Sequence, residues 1–168
     1  MERAECVVVY AATELFSELR RVEDWPQFTE GLVSVVATGH HRYRWGLVYA
    51  GHRREVDVVL SFDHRTRRIS WKALRRPAFD GGLRLVPLDA HRTRVYAWLT
   101  VEPVGLVENL LAGPHLTNAM AARNLQRLAE WVASRPEPAR RGAVVEDIPI
   151  PRRDQADAAA RLESRPRQ

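Results

Sequence analysis

Apolar and polar residues alternate along two consecutive segments near the middle of the chain. In the stretch 42–62, "RYRWGLVYAGHRREVDVVLSF", every second residue of each half is large and apolar or aromatic. Successive residues of a β-strand point to opposite faces of a sheet, so this alternation is typical of strands with one buried face. With the turn "AGH" it predicts a hairpin of strands 41–49 and 52–63. The predicted inner face carries Tyr43, Trp45, Leu47, Tyr49, Val56, Val58, Leu60 and Phe62.

The rest of the pattern predicts five further strands and three helices. The strands cover residues 3–10, 32–38, 67–74, 79–88 and 93–103. Two short helices follow the first strand; Thr13 is the predicted N-cap of the first, and Gly31 ends the second. A long helix covers 106–134. The order is therefore a strand, two short helices, six strands and a long helix.

This order predicts an α+β fold built on an antiparallel sheet. Short connections between consecutive strands favour a meander. Outward positions are charged or polar and inward positions are almost wholly apolar, so one face of the sheet must be covered. The C-terminal helix is the only predicted element long enough to cover it.

The buried stripe predicted for the long helix is narrow at its N-terminal half. The stripe centred on Ala121 consists of Leu110, Pro114, Thr117, Asn118, Leu125, Leu128 and Val132. Small or polar helix residues opposite an aromatic sheet leave room for a pocket of the kind that binds small molecules. The alternative, in which the aromatic side chains interdigitate into a solid core, stays open at this point.

Composition predicts one domain with a tail. Of the 168 residues, 45% are hydrophobic and 28% charged, as in soluble globular proteins. Residues 1–134 form the predicted domain, and the Arg- and Pro-rich segment 135–168 is expected to be flexible because it holds few large apolar residues. No apolar run is long enough for a membrane span and no secretory leader is recognised, so a cytoplasmic protein is expected.

The net charge of +5 invites a nucleic-acid interpretation. The positive charges are spread along the chain, however, and Lys72 is the only lysine. A solvated surface is therefore expected rather than a nucleic-acid interface.

Several strings resemble a known superfamily in their order and spacing. They are "EDWPQF", "RRISWKA", "GGLRLVPLDAHRTRV", "VEPVG" and, in the long helix, "HLTNAMAARNLQRL". The chain resembles the START and Bet v 1-like helix-grip proteins, and among them the bacterial polyketide cyclase/dehydrase group, over residues 3–134. The resemblance implies a seven-stranded antiparallel sheet wrapped around a long C-terminal helix. It also implies a bulky hydrophobic guest such as a polyketide, lipid, sterol or quinone.

The resemblance is incomplete where aromatase/cyclases of this superfamily carry their catalytic pair. Those proteins use an inward arginine on the strand matching 54–62 and a tyrosine just after the "WP" helix. Phe62 and either Gly31 or Leu32 occupy these places here, whereas Trp25 matches a pocket tryptophan. The resemblance thus implies a retained scaffold without the familiar pair.

The candidate catalytic residues are Tyr43, Tyr49 and Asn118. A neutral phenol can donate a hydrogen bond to a developing enolate, and Asn118 can hold a carbonyl oxygen. Structural roles for all three are the alternative, and His115 is either a base at the pocket rim or a surface histidine. The candidate ligand-binding residues are Trp25, Trp45, Phe62, Trp71, Leu85, Thr117 and Ala121.

Other chemistries find little support in the sequence. His40 and His41 are adjacent, and adjacent strand residues face opposite sides; no Cys/His group has zinc spacing, so no metal is expected. The string "FDGGLRL" does not open a helix and is not a phosphate-binding loop. Cys6 lies in a strand with no sign of a nucleophile's surroundings. No cofactor is expected.

Three functions are compatible with these features. The first is a cofactor-independent cyclase, or cyclase/dehydrase, that confines a polyketide-like intermediate delivered by an acyl carrier protein. The second is a non-catalytic carrier of a lipid, quinone or pathway intermediate, which the missing arginine favours. The third is a basic interaction surface, as in relatives of this fold that associate with the ribosome. A monomer or homodimer is expected, with outward Tyr96 and Trp98 as the candidate dimer surface.

Overall fold

The structure, a computed structural model, describes residues 4–49, 51–76, 78–102 and 114–135, with the side chains at 49 and 114–118 left out of the description. The elements are β1 (Ala4–Val8), α1 (Ala12–Leu19), the 3-10 helix η1 (Val22–Gln27), β2 (Leu32–Gly39), β3 (Arg42–Tyr49), β4 (His52–Asp63), β5 (Arg68–Ala73), β6 (Phe79–Pro87), β7 (Thr93–Val101) and α2 (Pro114–Ala133). Every predicted strand is present, and the described part of the long helix lies within its predicted bounds.

The seven strands form one antiparallel sheet in the order β1-β7-β6-β5-β4-β3-β2. Consecutive strands from β2 to β7 are neighbours, as the predicted meander requires, and β1 pairs with β7. The register places Trp45 opposite Val56, and Trp71 opposite both Leu60 and Gly81. These residues therefore belong to one face of the sheet, the inner face.

The two faces of the sheet differ as the alternation predicted. On β4, Val56, Val58 and Leu60 are buried, whereas Asp57 accepts a hydrogen bond from Arg44 Nε at 3.0 Å on the outer face. Such exposed ion pairs contribute about 1 kcal/mol or less. Burial of the inner face therefore supplies most of what these strands contribute to stability.

Helix α2 packs mainly on β1 and β7. Its buried residues Ala121, Leu125, Leu128 and Val132 recur at helical spacing, as the predicted stripe required. The inner faces of β3, β4 and β5 therefore need another cover. Part of it comes from η1, which contacts β2 and contributes Trp25.

Three hydrogen bonds tie α2 to η1 and the loop after it. The Glu30 backbone N–H donates to Asn124 Oδ1 at 2.8 Å, and Arg123 Nε donates to the Glu30 carboxylate at 2.7 Å. The Trp131 indole N–H donates to Gln27 Oε1 at 3.0 Å. These bonds are named the helix clamp; they hold η1 against the C-terminal half of α2.

The predicted N-cap at Thr13 is wrong. Helix α1 begins at Ala12, and Ala11 occupies the N-cap position in extended conformation without a side-chain cap. The Leu15 N–H donates to the Ala11 carbonyl at 2.9 Å. Because Ala12 is only 5% exposed, packing of the first turn sets the start of the helix.

Gly31 does not end the second short helix, which is the 3-10 helix ending at Gln27. Gly31 lies instead in the turn before β2, with φ +78° and its carbonyl accepting from the Val48 N–H at 2.7 Å. A Cβ at this position would lie 3.0 Å from the Val48 oxygen. Glycine is therefore required where the chain enters the sheet.

Trp98 is not part of an exposed dimer surface, contrary to the prediction. On the outer face its ring lies across Gly82, so close that a Cβ at 82 would be 2.1 Å from a ring carbon. The Arg68 guanidinium covers the ring at 4.6 Å, and Trp98 is only 8% exposed.

The observed architecture confirms the helix-grip fold class. The segments 106–113 and 136–168 lie outside the described residues, so the division into a domain 1–134 and a tail 135–168 stays a prediction. Among the described residues, no helix is long and apolar enough to cross a membrane.

Candidate functional site

Three tryptophan rings meet on the inner side of the sheet. Trp25 comes from η1, Trp45 from β3 and Trp71 from β5. Their ring centres are 5.9 Å (Trp25–Trp45), 5.4 Å (Trp25–Trp71) and 6.1 Å (Trp45–Trp71) apart. Phe79, the first residue of β6, stacks on Trp45 with ring centres 6.1 Å apart and planes at 27°. These four residues are named the aromatic cluster.

Gly81 makes room for Trp71 in this cluster. It lies opposite Trp71 on the neighbouring strand, and a Cβ there would be 2.7 Å from the Trp71 ring. The Trp71 indole therefore lies against the backbone of β6 at Gly81, where no side chain separates them.

The indole N–H of Trp25 has a hydrogen-bond acceptor, whereas that of Trp45 has none among the described residues. Trp25 Nε1 donates to the Leu19 carbonyl at 2.9 Å, a buried bond that fixes the ring from the end of α1. Trp45 is 4% exposed, and its Nε1 is buried without a hydrogen-bond acceptor among the described residues.

Several rings on the inner face are only half-buried. Their neighbours on the same strands are fully enclosed: Val58 and Ile69 are 0% exposed. The half-buried aromatic residues of the inner face are Tyr43, Phe62, Trp71 and Phe79. The inner face is therefore accessible beside these rings.

Tyr43 lies two residues before Trp45 on the same face of β3, a spacing of roughly 6.6 Å along a strand. Burial raises its pKa above the ordinary 10.0; Glu23 raises the pKa further, and Arg20 lowers it. Tyr43 is therefore a neutral phenol near pH 7. It can donate a hydrogen bond but is a poor base.

Phe62 contacts two polar side chains at its edge of the face. The Arg20 guanidinium lies 5.9 Å from its ring centre, and the His41 ring lies 5.3 Å away at 70°. Burial lowers the pKa of His41, as do His40 and Arg20. Near pH 7 this favours the neutral imidazole.

His40 and His41 do not face opposite sides, as their adjacency had suggested. His41 has φ +55°, and the two rings stack at 4.0 Å. The described residues nevertheless contain no group of three His, Cys, Asp or Glu side chains that could hold a metal ion.

Cys6 is poorly suited to nucleophilic chemistry. Its thiol is half-buried, lies 3.8 Å from the Leu125 carbonyl oxygen, and has a pKa raised by burial to about 11. The thiol form is therefore favoured over the reactive thiolate.

The structure brings some of the predicted site residues together. Trp25, Trp45 and Trp71 form the aromatic cluster, and Tyr43 and Phe62 share its face. Leu85 is 1% exposed and lies opposite Val95, and Ala121 lies on the buried side of α2; both belong to the core outside the cluster. The side chains of Tyr49, Thr117, Asn118 and His115 lie outside the described set.

Sequence reasoning missed Phe79, Arg20 and Glu23. Phe79 had a visible signal, because Phe79, Gly81 and Leu83 alternate on one face of the predicted strand. Arg20 and Glu23 had none, since their proximity to Tyr43 depends on how the short helices pack on the sheet.

No protein-family model matches the chain, and no curated protein matches it. Solved structures do match. The protein TTHA0849 from Thermus thermophilus is 21% identical, with a TM-score of 0.67, covering 80% of this chain and 99% of that chain. A START superfamily protein from Mycobacterium smegmatis is 17% identical, with a TM-score of 0.60, covering 76% of this chain and 90% of that chain.

A third match is the di-domain ARO/CYC BexL from the BE-7585A biosynthetic pathway. It is 23% identical, with a TM-score of 0.59, covering 82% of this chain and 48% of that chain. Likeness at this level of identity shows the fold: the chain has the helix-grip fold of START superfamily and aromatase/cyclase structures.

Proposed function

We propose that the chain binds a hydrophobic, polyketide-like molecule on the inner face of the sheet and directs its ring closure without a cofactor. The observation that carries this proposal is the partial exposure of Tyr43, Phe62, Trp71 and Phe79 beside enclosed residues of the same face such as Val58, Leu60 and Ile69. Rings in a solid core pack to crystal-like density and leave no such access. The fold shared with aromatase/cyclases supports the same function.

Confinement is the main catalytic contribution in this proposal. A flexible chain held against the flat walls of Trp71 and Phe79 loses most of its unproductive conformations. Pre-orienting reacting groups can supply several kcal/mol of a barrier. The walls themselves need no ionisable group for this effect.

Tyr43 is the proposed donor in the reaction. Its neutral O–H stabilises the enolate oxygen that develops when a carbon next to a carbonyl loses its proton, before that carbon attacks a second carbonyl and closes the ring. His41, with its lowered pKa, is available at the edge of the same face to accept a proton. Tyr49 and Asn118 remain proposed catalytic residues, with Thr117 as a ligand contact.

A non-catalytic carrier is the second candidate. Phe62 supports it, because an apolar ring stands where related cyclases place an arginine. The aromatic cluster also has no ionisable side chain of its own. A carrier would bind the guest as firmly as a cyclase but leave its reaction unchanged.

The decisive experiment is a reconstituted cyclisation. A poly-β-ketone thioester on an acyl carrier protein is incubated with the wild-type chain, with Tyr43→Phe, or with the matched control Tyr96→Phe on β7. Tyr43→Phe is expected to slow cyclised product formation about 100-fold, the usual scale for loss of a general acid. Its affinity for a stable ketone analogue is expected to stay within about twofold of wild type, and Tyr96→Phe should match wild type in both measurements.

The two candidates give different results. A product distribution that is the same with and without the protein, combined with tight binding of the analogue, establishes the carrier and contradicts the cyclase. Failure of the analogue to bind contradicts both.

A further inference from the structure

The indole N–H of Trp45 is buried without an acceptor in the described part of the chain, unlike the indole N–H groups of Trp25 and Trp131. Trp25 donates to the Leu19 carbonyl, and Trp131 donates to Gln27. Trp45 is as buried as Trp25, at 4% and 2% exposed, yet its N–H has no acceptor among the described residues. Aromatic rings contact Trp45, and the aliphatic Val35 and Val56 lie opposite it on the two neighbouring strands.

Packing alone does not account for an indole at this position. A buried donor without an acceptor is costly, and such groups are rare in native proteins. Phenylalanine would supply an aromatic ring to stack with Phe79 and pack against Trp25 and Trp71 without a buried donor. The polar atom therefore calls for a partner that the described residues do not provide.

We infer that Trp45 recognises an acceptor oxygen on the guest, and that the guest in its ring-closed form is a flat aromatic ring system bearing a carbonyl. This inference rests on the proposed function, because it requires a guest on the inner face. The flat faces of Trp71 and Phe79 select a planar guest, and the Trp45 N–H selects its carbonyl oxygen. An aromatic hydrocarbon of the same shape would leave the donor unpaired.

Entry of the guest requires one side chain to move. The Trp45 nitrogen is out of contact with solvent, so a carbonyl reaches it only after a neighbouring ring shifts. Phe79 is the neighbour placed to do so, because it is half-buried, stacks directly on Trp45 and is the first residue of its strand. The guest then fills the space that the shifted Phe79 ring leaves, with its carbonyl oxygen at the edge of the Trp45 ring where the N–H points.

The test compares two probes of nearly the same shape, 9-fluorenone and fluorene, by isothermal titration calorimetry on the full chain. Wild type is expected to bind fluorenone about tenfold more tightly than fluorene, the scale of one buried hydrogen bond. Trp45→Phe is expected to bind the two probes with equal affinity. The control Trp131→Phe, on α2 and outside the cluster, should keep the tenfold preference.

A second measurement uses the wild-type chain and does not depend on the variant's folding. In a protein labelled with nitrogen-15 at tryptophan, the indole proton resonance of Trp45 should move downfield with fluorenone and much less with fluorene. The Trp45 resonance is identified as the one that is missing from the Trp45→Phe spectrum. If that variant does not fold, site-selective labelling of Trp45 identifies the resonance.

The outcomes distinguish failure of this inference from failure of the proposed function, in which a guest binds on the inner face. If neither probe binds, the guest site itself is contradicted and this inference falls with it. If both bind and Trp45→Phe keeps the fluorenone preference, or if the Trp45 resonance responds equally to both, Trp45 is not the recognising residue while the guest site stands.

Discussion

Trp25 and Trp45 touch each other but contribute differently to folding stability. Truncating Trp25 to Phe removes the donor to the Leu19 carbonyl and leaves that acceptor buried. We expect Trp25→Phe to lower the free energy of unfolding by about 1–3 kcal/mol, the cost of an unpaired buried group. Urea denaturation followed by circular dichroism measures it.

Trp131→Phe provides the comparison for this measurement. It removes an indole N–H of the same kind whose bond to Gln27 is exposed, so water can replace the partner. A loss under about 1 kcal/mol is expected. Equal losses for the two variants would show that the bond to Leu19 has no special weight.

Cys6 gives a second prediction at the level of single residues. Burial raises its pKa from the ordinary 9.0 to about 11, which makes the thiolate about 100-fold scarcer at pH 8 than for a free cysteine. Native protein should therefore react with Ellman's reagent at least about 100-fold more slowly than urea-unfolded protein. Since the raised pKa favours the protonated folded form, stability should fall as the pH rises above 9 towards 11. Fast labelling of the native chain at pH 8 would contradict the raised pKa.

The sequence predicts which side chains share a face but not what each polar atom meets. Alternation on β3 and β4 was sufficient to place Tyr43, Trp45 and Phe62 on the inner face. The sequence could not predict that the Trp45 N–H lacks an acceptor among the described residues, because this depends on packing against Trp25, Trp71 and Phe79, which are remote along the chain. The same holds for the effect of Glu23 on the pKa of Tyr43.

At the level of elements, the pair Gly81-Gly82 places an indole on each face of the sheet. Trp71 lies on Gly81 at the inner face, and Trp98 lies on Gly82 at the outer face. Neither glycine has a positive φ, so the requirement is space rather than backbone conformation. The two positions form a matched pair for mutation.

We expect Gly81→Ala and Gly82→Ala both to destabilise the protein by about 1–3 kcal/mol, because an added Cβ would meet a ring and backbone atoms within 3 Å. Only Gly81→Ala displaces Trp71 on the inner face. Fluorenone affinity should therefore fall in Gly81→Ala and stay at the wild-type value in Gly82→Ala. Equal affinities in the two variants, measured by calorimetry, would remove Trp71 from the guest site.

Periodicity predicted the strands better than the helix ends. A sheet with one enclosed face needs strict alternation of apolar and polar residues, and this alternation can be recognised in the sequence of each strand. The predictions for Thr13 and Gly31 were wrong because capping preferences are weak compared with packing. Ala12 is buried at the start of α1, and Gly31 is needed in the turn before β2, where its carbonyl accepts from the Val48 N–H.

At the level of the whole molecule, the positions of α2 and η1 on the sheet decide how much of the aromatic face is covered. The sequence predicted the stripe of α2, but not that α2 would lie mainly on β1 and β7, nor that the helix clamp would hold η1 beside it. These long-range contacts set the accessible inner face. Composition and periodicity do not predict these contacts, so the sequence was equally compatible with a solid core and with an accessible inner face.

The boundary of the folded unit gives the last prediction. Arg135, which the composition break assigns to the tail, forms an ion pair with Glu18, and its guanidinium lies 4.1 Å from the Trp131 ring centre. Its side chain is only 23% exposed. A chain ended after Arg135 is therefore expected to unfold within about 0.5 kcal/mol of the full-length chain, as for changes away from packed features.

A chain ended after Ser134 is the matched comparison. It loses the ion pair and the cation–π contact, which together contribute about 1–2 kcal/mol in a partly buried setting. Thermal unfolding of the three chains by calorimetry measures both differences. A large loss of stability in the chain ended after Arg135 would show that residues 136–168 contribute to the folded unit. Equal stability of the two shortened chains would show instead that Arg135 belongs with the tail, because its contacts with Glu18 and Trp131 would then add nothing measurable to folding.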